Sequence, residues 1–165
     1  MARIFTAIRF DDEFKQKLVA IQNALKERGV RGNYCSYGNL HMTLSFNYEN
    51  THLLPKIQQA VSEIEVEPFT MTLDKLGMFP TTDGVIWAGV KEIEPVTAIA
   101  ERLRELLDAY GVPYSSTPFY PHISLLKHPS EIITDVQVPQ ERVRVDRIYI
   151  MRSERINGEL VYSEI

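Results

Sequence analysis

In "RIFTAIRF", residues 3 to 10, Ile4, Ile8 and Phe10 share a face with Thr6 while Phe5 and Ala7 occupy the other, the pattern of a well-buried strand. The period then lengthens: Phe14, Leu18, Ile21 and Leu25 recur at helical spacing, Asp11 or Asp12 can cap the start, and Gly29 suits a left-handed stop. A turn-rich stretch, "RGNYCSYGN", leads into "LHMTLSF". There strict alternation predicts Leu40, Met42, Leu44 and Phe46 on one face of a strand and His41, Thr43 and Ser45 on the other.

Further along, a helix is predicted from about Leu53, with Pro55 in its first turn and Ile57, Ala60, Val61 and Ile64 as its stripe. Strands at about 67 to 77 and 84 to 91 flank a turn, "PTTDG". The strongest helical segment is "EPVTAIAERLRELLDAYG", opened by Pro95, faced by Val96, Ile99, Leu103, Leu106 and Leu107, and closed by Gly111. Its charged run, "ERLRELLD", reads as the solvated side. "YPHISLL" is a strand, and the tail predicts one long strand around 142 to 152 and a last one at about 159 to 164. Asn157 and Gly158 between them suit a tight hairpin turn.

This order of elements repeats. Strand, helix, loop and histidine strand over residues 3 to 46 recur over 84 to 126, and "HMTL" at 41 to 44 recurs as "HISL" at 122 to 125. Two units of that length are too few and too long for a solenoid, and predict two similar lobes.

Composition narrows the class. A chain of 165 residues, 44% hydrophobic and 24% charged, is that of one soluble domain, residues 1–165, able to bury a core. No continuous apolar stretch marks a leader or a membrane span, which points to the cytosol and to no membrane partner. The lone Cys35 can form no intramolecular disulfide and no multi-cysteine metal site. A net charge of -4 argues against an electrostatic grip on long nucleic acid, leaving a small anion or a nucleic-acid end.

Residues i and i+2 of a strand point the same way, so His41 with Thr43, and His122 with Ser124, each present an imidazole beside a hydroxyl. A histidine pair near neutrality can hold one neutral base and one protonated acid together. That suits phosphodiester hydrolysis: one imidazole deprotonates the attacking water and the other protonates the departing sugar oxygen. The hydroxyls donate to the non-bridging phosphate oxygens, and the scheme needs no cofactor and no metal. Core packing would prefer apolar residues at these places.

At this point the sequence resembles the two-histidine (2H) phosphoesterases, specifically the bacterial and archaeal RNA 2',3'-cyclic phosphodiesterases formerly called 2'-5' RNA ligases. The segments "RIFTAIRF", "NLHMTLSF", "PFTMTLDKLGMFP", "GVIWAGV" and "FYPHISLLKHP" are similar to that family's landmarks over nearly the whole chain. The resemblance implies a bilobal, pseudo-symmetric α+β fold with two antiparallel sheets lining a central cleft and helices outside. It implies hydrolysis of a terminal RNA 2',3'-cyclic phosphate to a 2'-phosphate without ATP or metal, with His41 the proton donor, His122 the proton acceptor and Thr43 and Ser124 on the phosphate. Residue types alone do not distinguish the two histidines. "SFNYE" departs from the family's Phe-Leu-Gly turn at Asn47 and Tyr48, and Lys127 stands where many relatives carry arginine. Lys127 is a phosphate-binding candidate, although regular alternation turns it away from Ser124 and makes it a solvated lysine.

Other residues are weaker candidates. His52 and His128 pair with no second ligand at a zinc spacing. Trp87, Tyr34, Phe79 and Phe119 can stack a base, but each reads first as core or rim packing. The expected partner is an RNA end or a small nucleotide bearing a cyclic phosphate, with no obligate protein partner. The alternatives are a 2H enzyme acting on a cyclic nucleotide or ADP-ribose cyclic phosphate, or a non-catalytic nucleotide-binding module, which would have lost a histidine. Ligation has no support, because the chain lacks an adenylation lysine motif and a phosphate-binding glycine loop.

Overall fold

The computed structural model describes residues 2–79 and 84–165, so the expected turn at "PTTDG" lies outside the described residues except for Gly84. Strand β1 (Arg3–Ile8) is buried from Ile4 through Ile8. Helix α1 (Asp12–Glu27) follows, with Asp11 accepting a hydrogen bond from the Phe14 amide at 2.9 Å, a cap that stabilises by about 1 kcal/mol. Phe14, Leu18, Ile21 and Leu25 are fully buried, and burying each contributes about 1.5–3 kcal/mol. A short β2 (Asn33–Tyr34) and a 3-10 turn (Tyr37–Asn39) lead to β3 (Met42–Phe46).

The second half runs through α2 (Leu54–Ser62), β4 (Phe69–Phe79), β5 (Val85–Val90), α3 (Ile93–Ala109) and β6 (Ile123–Lys127). Helix α3 begins two residues before Pro95, so proline occupies its first turn, where no amide partner is needed. Gly29 and Gly111 follow α1 and α3 in the left-handed region, at φ +81° and +69°.

The tail corrects one expectation. In place of one strand over 142 to 152 there are two, β7 (Arg142–Val145) and β8 (Tyr149–Ile156), and they join different sheets. Asp146, Arg147 and Ile148 carry the chain from one lobe to the other. The alternation shifts phase at that crossing, from buried Val143 and Val145 to buried Ile148 and Ile150 across the exposed pair Asp146 and Arg147, so the break is visible in the chain itself. Strand β9 (Glu159–Glu164) closes a hairpin on β8 through Asn157 and Gly158, at φ +53° and +82°, as the Asn-Gly pair predicts.

Two antiparallel sheets result, in the orders β3-β1-β8-β9 and β2-β6-β5-β4-β7. The histidine strands β3 and β6 lie next to β1 and β5, matching the repeat read from sequence. The helices are exchanged: α3 packs on β3 and α1 packs on β6, so each half of the chain backs the other half's histidine strand. One buried apolar cluster joins both sheets, including Ile4, Met42 and Leu44 of the first and Ile86, Ile123 and Leu125 of the second. No helix among the described residues is long and apolar enough to cross a membrane.

Candidate active site

Each histidine strand carries a β-bulge at the same place. Thr6 faces Ser45 and Ala7 faces Thr43, so Leu44 is the extra residue in β3; Ile86 faces Leu126 and Trp87 faces Ser124, so Leu125 is the extra residue in β6. A bulge resets the alternation beyond it. Phe46 therefore turns to the side of Thr43, and Ser45 sits in the interior, 2% exposed, which reverses the faces expected for both. In β6 the same shift turns Lys127 to the side of Ser124, correcting the expectation that it faces away.

Remote groups hold the second bulge. The Leu125 carbonyl accepts hydrogen bonds at 2.9 Å from both the Cys35 amide and the buried Gln22 Nε2, and Gln22 also reaches the Cys35 carbonyl. Gly32, at φ +152°, lets this loop close onto β6, since a Cβ there would stand 2.8 Å from the His128 carbonyl oxygen and 2.9 Å from that of Lys127. In the first lobe the Ser115 amide donates to the Phe46 carbonyl at 2.9 Å, and Asn47, fully buried, links Ser45 to the Pro113 carbonyl.

A single cleft of about 1140 Å³ takes its walls from both lobes: His41 immediately before β3 with Thr43 and Phe46 on it, His122 immediately before β6 with Ser124 and Lys127 on it, and Phe5, Tyr34, Cys35, Tyr162 and His128 around them. His41 and His122 are thus brought together with both hydroxyls. His52 is exposed outside this cleft, and Phe119 packs against the core near Arg104. Trp87 and Phe79 stand beside the His122 ring, at centroid distances of 6.1 and 4.7 Å, and Tyr34 lines the cleft. Trp87 lies over Gly77, directly opposite in the ladder, where any Cβ would come within 2.4 Å of the indole.

The two imidazoles are oriented alike. His41 Nδ1 donates to the Asn39 carbonyl at 2.6 Å and His122 Nδ1 to the Tyr120 carbonyl at 2.8 Å, each two residues earlier. A carbonyl can only accept, so Nδ1 holds the proton and, in a neutral ring, Nε2 is left with a free lone pair. His41 Nε2 meets the Thr43 hydroxyl at 2.7 Å. Phe5 and Tyr162 flank the His41 ring at 4.9 and 5.2 Å. Burial pushes the His41 imidazole down to about 4; the Asn39 carbonyl opposes this, and the positive charges of Lys127 and His122 add to it. Burial lowers His122 as well, against the pull of the Tyr120 carbonyl.

Sequence reasoning missed Asn39, Phe5, Phe46 and Tyr162. Alternation predicted that Phe5 faces away from Ile4, but nothing in its spacing said that this second face is a cleft. Among the described residues no group of three or more His, Cys, Asp or Glu side chains is placed to hold a metal ion.

A family model described as the 2'-5' RNA ligase superfamily matches residues 11–157. An RNA 2',3'-cyclic phosphodiesterase of Archaeoglobus fulgidus is 34% identical over 113 residues, 66% of this chain and 63% of that protein, a match spanning just under two thirds of that relative. A Thermotoga maritima protein of the same name is 29% identical over 168 residues, 92% of this chain and 86% of that one. Among solved structures, apo Escherichia coli LigT is similar with a TM-score of 0.83 and 25% identity, over 99% of this chain and 94% of that one.

Proposed function

Because the chain belongs to the 2'-5' RNA ligase superfamily, we propose that it is an RNA 2',3'-cyclic phosphodiesterase that opens a terminal cyclic phosphate to a 2'-phosphate by histidine acid-base catalysis. The observation that carries this reading is the pair of imidazoles lining one cleft together with Thr43 and Ser124, each imidazole with Nδ1 tied to a carbonyl two residues earlier. The relatives named for this activity support the same class.

In the proposed reaction the phosphate sits between the histidines. His122 Nε2 takes a proton from water as its oxygen attacks phosphorus, the bond from phosphorus to the 3' oxygen breaks, and His41 Nε2 gives that oxygen its proton. One water is consumed, and solvent exchange resets both rings. Thr43 and Ser124 donate to the non-bridging oxygens, where charge must be stabilised. Lys127 adds a positive charge at the same wall. His41 is neutral at pH 7 in the free enzyme, with its imidazole pushed down to about 4, so it takes up a proton from solvent as the substrate binds, because an anionic phosphate favours the charged ring. No metal enters these steps.

The test is to incubate chelator-treated enzyme with a short RNA ending in a 2',3'-cyclic phosphate and with nucleoside 2',3'-cyclic monophosphates, and to identify products by phosphorus NMR. The expected product is the 2'-phosphate, with the RNA turned over faster. Activity that vanishes with EDTA and returns only with zinc, manganese or magnesium would defeat the two-histidine mechanism. Hydrolysis of mononucleotides alone would reassign the substrate to a small molecule.

A further inference from the structure

Asn39 links the catalytic cleft to the last strand of the chain. Its side-chain Nδ2 donates to the Leu160 carbonyl at 2.9 Å, and its Oδ1 accepts from the Tyr162 amide at 3.3 Å. Leu160 and Tyr162 belong to β9, the outer strand of the first sheet, whose other side pairs with β8. An amide side chain has one donor and one acceptor direction like a peptide group, so Asn39 completes the open edge of β9 in the manner of a neighbouring strand. The backbone carbonyl of this same residue receives His41 Nδ1 at 2.6 Å.

We propose that Asn39 is a positioning residue for catalysis: by clamping its side chain to β9 it holds its own carbonyl where His41 must keep a proton on Nδ1 and offer Nε2 to the phosphate. The inference rests on the proposed role of His41 in cyclic-phosphate hydrolysis. Strand β9 also presents the Tyr162 ring, edge-on to His41 at 5.2 Å and to Phe5 at 5.1 Å, so one strand fixes the imidazole through the carbonyl and through the ring face. The 3-10 turn that carries Asn39 has its own short backbone bonds, Asn39 to Ser36 at 2.9 Å and Leu40 to Tyr37 at 3.4 Å, and its first residue is anchored on α1, where the Tyr37 hydroxyl donates to Asp12. That anchor holds the Tyr37 end, and the clamp on β9 holds the Asn39 end from which the carbonyl projects. Tyr120, which plays the same part for His122, has no side-chain clamp of this kind among the described residues and is 45% exposed.

The experiment uses histidine labelled with nitrogen-15, with the His41 signals assigned against the His122→Ala protein. In the wild-type enzyme near pH 7, His41 is expected to be neutral with its proton on Nδ1. In Asn39→Ala the proton should redistribute toward Nε2, and kcat should fall about tenfold with KM changed by less than about twofold, the pattern of a misplaced group rather than a lost binding contact. Asn39→Asp keeps the acceptor for Tyr162 and loses the donor to Leu160, so its kcat should lie between the two. A wild-type His41 protonated on Nε2 overturns the proposal without any variant. Wild-type tautomer and kcat in Asn39→Ala, or full kcat in Asn39→Asp should the alanine variant not fold, overturn it as well. The tautomer is read without turnover, so an enzyme inactive on cyclic phosphates would sink the functional reading and leave the tautomer result to stand separately.

Discussion

The two histidine strands share a plan as far as the bulge and part company just beyond it. Both run histidine, apolar residue, hydroxyl, bulged leucine, and both then turn a further side chain into the cleft, which is Phe46 in β3 and Lys127 in β6. The surroundings follow the same division. His41 lies among Phe5, Tyr162 and a clamped carbonyl with its Nε2 already on Thr43, whereas His122 is held by a carbonyl in an exposed stretch next to Trp87 and Phe79. One lobe gives a fixed, desolvated imidazole on an aromatic floor; the other gives a more open imidazole and a lysine whose charge reaches His41. A symmetric pair of motifs has become an asymmetric site, and the asymmetry resides in what the bulges deliver.

The most severe way to break the comparison is to remove either histidine. His41→Ala and His122→Ala should each lower kcat at least about a hundredfold, the scale of a positioned acid or base, and the double variant should be little worse than the poorer single one. Near-wild-type turnover in either single variant would assign the chemistry to one lobe alone. Removing the hydroxyls sharpens the asymmetry. Thr43→Ala and Ser124→Ala should each cost about tenfold or more, and Thr43→Ala should cost more because Thr43 also holds His41 Nε2 at 2.7 Å. Equal losses would mean that the contact has no catalytic weight.

Next in size is the pair beyond the bulges. Lys127→Ala should lower kcat/KM about tenfold, consistent with one charge-assisted contact to phosphate, while Phe46→Leu should change it only severalfold. A Lys127→Ala enzyme with unchanged kcat/KM at low salt would return this lysine to the solvent. The smallest effect concerns pH. Both imidazoles are lowered by burial, His41 to about 4, so the kcat/KM profile of the free enzyme should be a bell centred on the acid side of neutrality, with limbs that belong to the coupled pair. Bound phosphate raises both groups, so the kcat profile should lie at higher pH than the kcat/KM profile. In Lys127→Ala, loss of a nearby positive charge should let His41 rise, moving a limb of kcat/KM toward higher pH; a profile fixed in place would show that the two do not communicate.

Much of this was open to local reading. Hydrophobic periods of two and of 3.6 depend only on near neighbours, so β1, α1, β3, α3 and β6 could be found from the chain, along with the repeat and the convergence of His41, Thr43, His122 and Ser124 on one face each. The hairpin of Asn157 and Gly158 was legible for the same reason, since its left-handed backbone is a property of two residues. The failures begin where a distant segment intervenes. Phe46, Ser45 and Lys127 were assigned by unbroken alternation, and each bulge interrupts it one residue too late for the sequence to reveal. The bulge at Leu125 is held by Gln22 and Cys35, about a hundred residues away, through hydrogen bonds that no local pattern encodes. The tail is a different case: a single strand over 142 to 152 passes over a phase shift that the chain does carry, at Asp146 and Arg147 between Val145 and Ile148, and β7 and β8 pair with different partners.

The sequence by itself determined which hydroxyl shares a face with each histidine, because a strand's faces follow from the geometry of successive residues. Tertiary structure alone decided that Lys127 and Phe46 enter the cleft, that α1 and α3 each back the other half's histidine strand, and that Asn39 reaches β9. Each of these rests on hydrogen bonds or packing between segments far apart in the chain, and such pairings become defined only when both partners have folded into place.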